Sequence, residues 1–294
     1  MAIKQMPGPA SLCYICGGQN FGKLFSYDAP PDGETLFPFS SSRRYHREIL
    51  CCSTCKHCVS VHRMDMAEMY QGDYGRSTYG GKEEIQRAFY RIASLDPAKS
   101  DNNGRVKRIA EFASAHLTAP VAQKRAPTIL DVGSGLGVFL HRMKEAGWEC
   151  QALDTDPQFV DHARDVVGVK AMVADYLKTQ SLGLYDVVTF NKVLEHVANP
   201  SEMLARSTSH LREGGFVYVE VPDAEAAALA GPNREEFFIE HHHIFSLASF
   251  ALLAARSNFV VQAIERLREP SGKYTLRAFL VPHSWGKNER DNLS

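Results

Sequence analysis

The sequence predicts an α/β protein: a mainly parallel sheet with helices on both faces, preceded by a small ribbon held by cysteines. Three observations predict it. The apolar run Ile129-Leu130 leads into Asp131-Val132, then Gly133-Ser134-Gly135-Leu136-Gly137, then the amphipathic stretch Val138 to Met143, which reads as strand, tight turn, helix. Further apolar runs near 151–153, 170–173, 185–190 and 216–222 alternate with helical patterns, as in strand–helix–strand units. Six of the seven cysteines (Cys13, Cys16, Cys51, Cys52, Cys55 and Cys58) crowd the amino-terminal end.

The ribbon comes first in the chain. Cys13-Tyr14-Ile15-Cys16 is followed by Gly17-Gly18, whose freedom lets backbone N–H groups turn toward thiolates. A second Cys-x-x-Cys follows, with two readings that share Cys55: Cys52 with Cys55, or Cys55 with Cys58. The first is favoured, because Cys55-Lys56-His57 then imitates the Cys-Gly-His turn of zinc ribbons, with Lys56 in place of the glycine. Cys13, Cys16, Cys52 and Cys55 would hold one tetrahedral zinc ion of structural type, since four thiolates leave no open position. Cys51 and Cys58 are then expected as spare thiols, with Cys58 toward the ribbon core and Cys150 a small filler in the sheet. Strands are expected over 23–27 and 45–50, with turns at Pro30-Pro31-Asp32-Gly33 and Ser40-Ser41-Ser42 between them.

A helix is expected over 65–70, then a segment rich in glycine and tyrosine, then helices over 82–94 and 103–117. Asn199-Pro200-Ser201-Glu202 is a helix start with a capping Asn, Pro in the first turn and Glu three residues after the cap. Strands over 259–264 and 274–281, joined through Pro270-Ser271-Gly272, should form an antiparallel hairpin that closes the sheet. The expected units are a ribbon over 1–68, linking lid helices over 69–101 and the core over 102–294.

The composition narrows the classes. A net charge of −1 gives no electrostatic case for nucleic acid. No apolar run approaches the roughly 20 residues of a membrane span. Pro7, Gly8 and Pro9 interrupt the amino terminus where a secretory leader would be apolar, so a cytoplasmic location is expected.

The glycine turn defines a crevice. Glycines let a ligand approach the backbone, and the following helix aims its N–H groups at it. Asp154, about twenty residues on at the end of the next strand, is placed to accept hydrogen bonds from ribose hydroxyls. A dinucleotide fold would want Gly-x-Gly-x-x-Gly, and Val138 stands where the last of those glycines would fall.

This ordered set, over roughly residues 100 to 282, resembles the class I S-adenosylmethionine (SAM)-dependent methyltransferases. Asp131 with Gly133, Gly135 and Gly137 matches the family's first motif, Asp154 its ribose acid, and Asp175 the residue that pairs with the adenine amine. Leu194-Glu195-His196-Val197 with Asn199-Pro200 matches the block after strand four. The resemblance implies a Rossmann-like seven-stranded sheet and bound SAM. It extends the candidate cofactor-binding set to Ser134, Thr155, Tyr176 and Asn191, and to a tyrosine of the lid segment, among Tyr70, Tyr74 and Tyr79, that would cover the methionine end.

The segment Phe238-Ile239-Glu240-His241-His242-His243-Ile244-Phe245-Ser246 resembles the Tyr-x-Glu-His-x-x-Tyr-Phe-Ser signature of sugar C-methyltransferases, which also begin with a zinc-binding domain. Phe238 and Ile244 stand where tyrosines are expected, so a proton relay through those hydroxyls is lost, and the further carboxy-terminal domain of those enzymes is not in this sequence. The resemblance implies His241 as general base, with Glu240 orienting it or binding the acceptor. The competing reading makes both structural, with His243 capping the next helix. Glu195 is expected to support its turn and His196 to open a helix near the cofactor.

The function expected is SAM-dependent methylation, at C or O, of a small acceptor such as a sugar or nucleotide-linked sugar. A natural-product acceptor, or a non-catalytic SAM-binding adaptor that uses its ribbon to bind a partner, are the alternatives.

Overall fold

The structure is a computed structural model and describes residues 12–36, 45–64 and 80–284. The expected helix over 65–70 and the lid tyrosines Tyr70, Tyr74 and Tyr79 lie outside the described residues.

Seven strands form the main sheet in the order β10-β11-β8-β7-β4-β5-β6. Four strands, β4 (Thr128–Val132), β5 (Glu149–Asp154), the edge strand β6 (Lys170–Val173) and β7 (Tyr185–Asn191), run parallel, as does β8 (Leu211–Pro222) against β7. Only β11 (Tyr274–Pro282) runs against the others, pairing antiparallel with β8 and with β10 (Phe259–Arg268), and β10 and β11 form the closing hairpin expected from the sequence. Strands buried on both faces are largely apolar, and β7 is buried throughout from Asp186 to Phe190, with Val187, Val188 and Phe190 apolar and Asp186 and Thr189 hydrogen-bonded. Successive strands step outward from β4 through β5 to β6, then the chain returns to pair β7 on the other side of β4. That reversal opens a crevice at the carboxyl ends of β4 and β7.

Helices α1 (Lys82–Ala93), α2 (Asp101–His116), α3 (Val138–Glu145), α4 (Pro157–His162), α5 (Pro200–Arg206), α6 (Ala224–Ala230) and α7 (Leu247–Arg256) surround the sheets. Five of these starts, those of α2, α4, α5, α6 and α7, carry a side-chain cap. Asn199 Oδ1 accepts the Glu202 N–H at 3.1 Å at the head of α5, as its sequence predicts. At the head of α7 the cap is Ser246, not His243: Ser246 Oγ accepts the Ser249 N–H at 2.9 Å. His243 lies instead in a strand, β9 (His243–Ile244).

That two-residue strand joins the two parts of the molecule. The amino-terminal sheet has the order β1-β2-β3-β9, with β1 (Phe21–Tyr27), β2 (Arg47–Cys52) and β3 (Cys58–His62) from the ribbon. Cys58 pairs with Ile244 and Val59 with His243, so the core lends its own chain to the ribbon's edge. The ribbon is therefore not a separate bead: Cys13, Ile15, Cys52 and Cys55 share one apolar cluster with Leu130, Val132 and Phe245. Cys51 and Cys58, expected as spare thiols, face each other across β2 and β3 and form a disulfide. Cys150 is a buried free thiol, as expected of a filler.

Under the crevice sits a buried ionic network. Glu220, fully buried on β8, accepts Arg105 Nε at 2.9 Å and Arg277 Nε at 3.1 Å, and also the Tyr218 hydroxyl. Burial alone would raise its pKa, but the Arg105 charge and hydrogen bonds outweigh that and hold it at about 2. A carboxyl with a depressed folded pKa stabilises the protein above its ordinary value of 4.5 and loses that contribution as pH falls toward 2. The shift corresponds to about 3 kcal/mol. Urea titrations of the wild-type protein at pH 5 and pH 2.5 should therefore differ more than those of Glu220→Gln, by ~2–3 kcal/mol. Equal pH sensitivity in the two proteins would show that Glu220 is not the group responsible.

Candidate active site

The glycine turn after β4 is shaped by its neighbours. Gly133, Gly135 and Gly137 all have positive φ, at 73°, 48° and 68°. A Cβ on Gly133 would lie 2.8 Å from Val193 Cγ2, and one on Gly137 would lie 3.0 Å from Val167 Cγ2. A Cβ on Gly135 would meet nothing within 4 Å, because that residue faces the cavity. Gly133 N–H donates to the Leu153 carbonyl at 2.8 Å, which draws the turn onto the end of β5.

The acids expected around this turn converge on it. Asp131 is buried at the end of β4 and accepts Thr189 Oγ1 at 2.6 Å and Asn191 Nδ2 at 2.8 Å. Burial pushes its carboxyl up to about 6 against those hydrogen bonds. Asp154 accepts the N–H groups of Gly135 at 2.9 Å and Asp156 at 3.0 Å, so the acid at the end of β5 also fixes the glycine loop. Burial raises its pKa too. Asp131, Gly133, Ser134, Gly135, Gly137, Asp154, Thr155 and Asn191 line one cavity. Ser134 Oγ and Asn191 Oδ1 are buried with no hydrogen-bond partner among the described residues, as polar atoms awaiting a ligand would be. Open space over Gly135 and these orphaned atoms fit a SAM molecule laid along the crevice.

Asp175 and Tyr176 are placed differently. Asp175 caps its own turn through Leu177 N at 3.0 Å and pairs with Lys178 at the surface, away from the residues that line the cavity. Tyr176 is 2 % exposed and packs edge-on against Phe190, so its ring belongs to the core. The sequence order that placed it beside Asp175 carried no information on which way the ring turns.

The cavity has a volume of about 1010 Å³, at the upper end for ligand sites and roomy enough for a cofactor and a second molecule side by side. Beyond the glycine turn its wall is polar: Lys99, Asn102, Lys192, Glu240, Ser271 and Lys273 all contribute. Gly33 and Thr35 contribute from the ribbon. Pocket lining by the ribbon was not foreseen from the sequence, whose turn signal there described only the chain reversal.

His241 and Glu240 both line this second half of the cavity. His241 Nδ1 meets the Glu236 carbonyl at 2.9 Å, so Nδ1 carries the proton and the lone pair is on Nε2. The orienting partner is thus a backbone carbonyl rather than the Glu240 side chain. Burial, then the nearby His196, depress the His241 pKa well below its ordinary value, and the ring is neutral. Burial lifts the Glu240 carboxyl to about 7.

Glu195 and His196 stand opposite, in a single turn at the end of β7 (Leu194–His196). Two hydrogen bonds tie this turn to the 240–242 segment: His196 Nδ1 to the Glu240 carbonyl at 3.0 Å, and His242 N–H to the Glu195 carbonyl at 2.8 Å. The His196 and His241 rings sit 4.9 Å apart. Glu195 is fully buried, and neither of its carboxylate oxygens has a hydrogen-bond partner among the described residues. Burial pushes that carboxyl up to about 8. The sequence marked Glu195 only as support for its turn, because nothing local shows that the segment opposite brings the His241 imidazole to it.

In the ribbon, the sulfurs of Cys13, Cys16, Cys52 and Cys55 lie within 4.8 Å of one another, with Cys13 to Cys55 at 3.6 Å and Cys16 to Cys52 at 3.5 Å. The two knuckles repeat one hydrogen-bond pattern. Gly17 N–H reaches the Cys13 carbonyl at 2.8 Å, and Lys56 N–H reaches the Cys52 carbonyl at 2.9 Å. Lys56 adopts the left-handed φ of 58° that Gly17 adopts at 73°, so the lysine fills the glycine's place without altering the turn. This geometry separates Cys52 and Cys55 from the Cys51–Cys58 pair.

Residues 99–264, more than half of the chain, match the family model described as a methyltransferase domain. The chain belongs to this family. The glycine crevice described above lies within the matched residues. A ubiquinone biosynthesis O-methyltransferase of Caulobacter vibrioides is 32% identical over 117 residues, 36% of this chain and 46% of the relative. The protein of the same name from Xanthomonas axonopodis pv. citri is 30% identical over 127 residues, 41% and 51% of the two chains. The chain therefore spans about half the length of the curated relatives it matches. Among solved structures, the magnesium protoporphyrin IX methyltransferase of Synechocystis PCC 6803 with bound S-adenosylhomocysteine superposes with a TM-score of 0.52 at 16% identity, over 71% of this chain and 97% of that one. At that identity the likeness is one of fold. No helix among the described residues is long and apolar enough to cross a membrane.

Calorimetry with S-adenosylhomocysteine checks the geometry of the methyltransferase crevice. Asp154→Ala, which frees the Gly135 loop as well as removing the acid, should weaken binding by at least about tenfold, the order expected when a charged hydrogen-bonding partner is lost. Tyr176→Phe, buried away from the cavity, should leave affinity within about twofold. A larger effect from Tyr176→Phe than from Asp154→Ala would mean the cofactor lies elsewhere.

Proposed function

We propose that this methyltransferase transfers the SAM methyl group to a hydroxyl oxygen of a small, hydroxyl-rich acceptor, of which a sugar or nucleotide-linked sugar is the type. The observation that carries the reading is the continuity of one cavity from the Gly133–Gly137 turn to His241, with a polar far wall. The naming of the two relatives as O-methyltransferases supports oxygen as the nucleophile, and the absence of hydroxyls at Phe238 and Ile244 argues against a tyrosine relay to carbon.

Asp154 binds the ribose, and Ser134 and Asn191 satisfy polar groups along the cofactor. Bound SAM supplies a methyl group on a positively charged sulfur, open to in-line displacement by the acceptor oxygen. His241 receives the hydroxyl proton on Nε2 as the oxygen–carbon bond forms and the carbon–sulfur bond breaks, then releases it to solvent. Glu240 faces the acceptor beside it. Thr35 from the ribbon and Phe238 narrow the cavity and keep water from the reacting atoms.

In the ribbon, Cys13, Cys16, Cys52 and Cys55 hold a structural zinc ion. Sulfurs about 2.3 Å from one centre stand ~3.8 Å apart in a tetrahedron, close to the observed spacings. The purified protein should carry one zinc per chain in this site, and Cys16→Ser should lower its thermal midpoint, since metal binding contributes folding free energy. Zinc content unchanged by Cys16→Ser would exclude the site.

Screening sugars and nucleotide-linked sugars for SAM consumption tests the acceptor. With a turned-over acceptor at saturation, His241→Ala should lower kcat by about 10²–10⁴-fold, the usual contribution of a general base. Full turnover by His241→Ala would remove the imidazole from the mechanism.

A further inference from the structure

We propose that Glu195, His196 and His241 form a binding site for a divalent metal ion at the acceptor end of the cavity, separate from the cysteine site in the ribbon. Their ligand atoms all lie within 4.8 Å of one another. Closing such a triangle on an ion at about 2.0–2.2 Å needs only small side-chain movements. Two imidazoles and one carboxylate suit a divalent transition metal bound through nitrogen and oxygen, with positions left open for solvent or substrate.

The surroundings of the three groups support an ion more strongly than their spacing does. Metal-binding imidazoles usually give their other nitrogen to a carbonyl or carboxylate, which fixes the tautomer and ring angle. Both rings do so here: His241 Nδ1 to the Glu236 carbonyl at 2.9 Å, and His196 Nδ1 to the Glu240 carbonyl at 3.0 Å. Each neutral ring then carries its lone pair on Nε2. Between them stands the Glu195 carboxylate, 0% exposed, with both oxygens unpartnered among the described residues. A buried carboxylate without donors is costly, and a cation is the partner that would satisfy both oxygens at once. The backbone bond from His242 N–H to the Glu195 carbonyl at 2.8 Å locks the two segments together, so the set is assembled before any ion arrives.

The site deepens the acceptor reading and rests on it for its role, with one change: the proton acceptor moves from His241 to Glu240. An acceptor hydroxyl coordinated at an open position would be acidified by the ion. The lone pair of His241 would then serve the ion, and the hydroxyl proton would pass to the neighbouring Glu240 as the oxygen–carbon bond forms and the carbon–sulfur bond breaks. The ion itself is neither consumed nor oxidised.

Manganese(II) is the probe, because imidazole and carboxylate donors take it and a thiolate cluster does not compete well. Full-length protein with its ribbon metal in place is titrated with Mn²⁺, and free ion is followed by its magnetic resonance signal, with no acceptor present. One saturable equivalent is expected. Glu195→Gln and His241→Ala should each weaken it tenfold or more, while Glu202→Gln, a surface change on α5, should leave it within twofold. A cooperative urea transition in each variant confirms folding. No saturable binding, or binding that Glu195→Gln and His241→Ala leave unchanged, overturns the proposal. The two readings fail separately. Saturable Mn²⁺ with no hydroxyl compound methylated keeps the ion site and removes the acceptor assignment. Chelator-resistant turnover that His241→Ala abolishes, without Mn²⁺ binding, keeps the base and removes the ion.

Discussion

The Arg47–Glu34 ion pair, sealed from water between ribbon and core, is the interaction on which the His241 side of the cavity depends. Both side chains are essentially unexposed, and Arg47 Nη2 meets Glu34 Oε2 at 2.8 Å. Each partner also reaches the same stretch of core backbone: Arg47 Nη1 donates to the Phe237 carbonyl, and Glu34 Oε2 accepts the Ile239 N–H at 2.7 Å. Tyr45 closes the set, donating to Glu34 Oε1 at 2.6 Å and accepting Arg47 Nε at 3.0 Å. A buried pair is weak evidence of stability by itself, yet losing one partner strands the other at a cost of about 3–5 kcal/mol. Here the return on that arrangement is geometric. The chain from Phe237 to Ile239 has its path fixed immediately before Glu240 and His241, so ribbon residues decide where those two side chains stand.

The joint between sheets completes that control. Strand β9 adds His243 and Ile244 to the ribbon, and Ser246 Oγ donates to the Cys55 carbonyl at 2.6 Å. His57 and His243 meet through Nε2 and Nδ1 at 3.0 Å at the same seam, both fully buried. A cysteine knuckle, an ion pair and a two-residue strand therefore hold one segment from three directions. The cavity wall on this side draws its support from a part of the chain remote in sequence.

Much of this was legible in the residues. The glycines of the first turn, Asp131 and Asp154 announced the crevice because backbone conformation and chain order leave few alternatives there. The helix start at Asn199 and the closing hairpin were legible for the same local reason. What the sequence withheld was long-range pairing. Nothing in His243-Ile244 distinguishes a helix cap from the fourth strand of a distant sheet, since two residues carry no periodicity. Glu34 and Arg47 look like ordinary surface charges until the fold buries them against each other. The direction of Tyr176 is set by packing on Phe190, and the meaning of Glu195 is set by a segment some 45 residues away. The second knuckle was half legible: the motif gave two ways to choose its cysteines, and the backbone geometry at Lys56 separates them.

The pairing of Val59 with His243 also orders events in time. The ribbon's cysteines leave the ribosome early, while the strand that completes their sheet comes about 180 residues later. At roughly 5–20 residues per second, that is an interval of ~10–40 s in which the knuckles exist with an open edge on β3. The four-cysteine cluster can assemble during this interval, since it needs only residues already made. The sheet cannot close then, and neither can the wall that carries His241. Glu240 and His241 thus take their places only after the chain has been made as far as His243, when nearly all of the glycine crevice has already emerged.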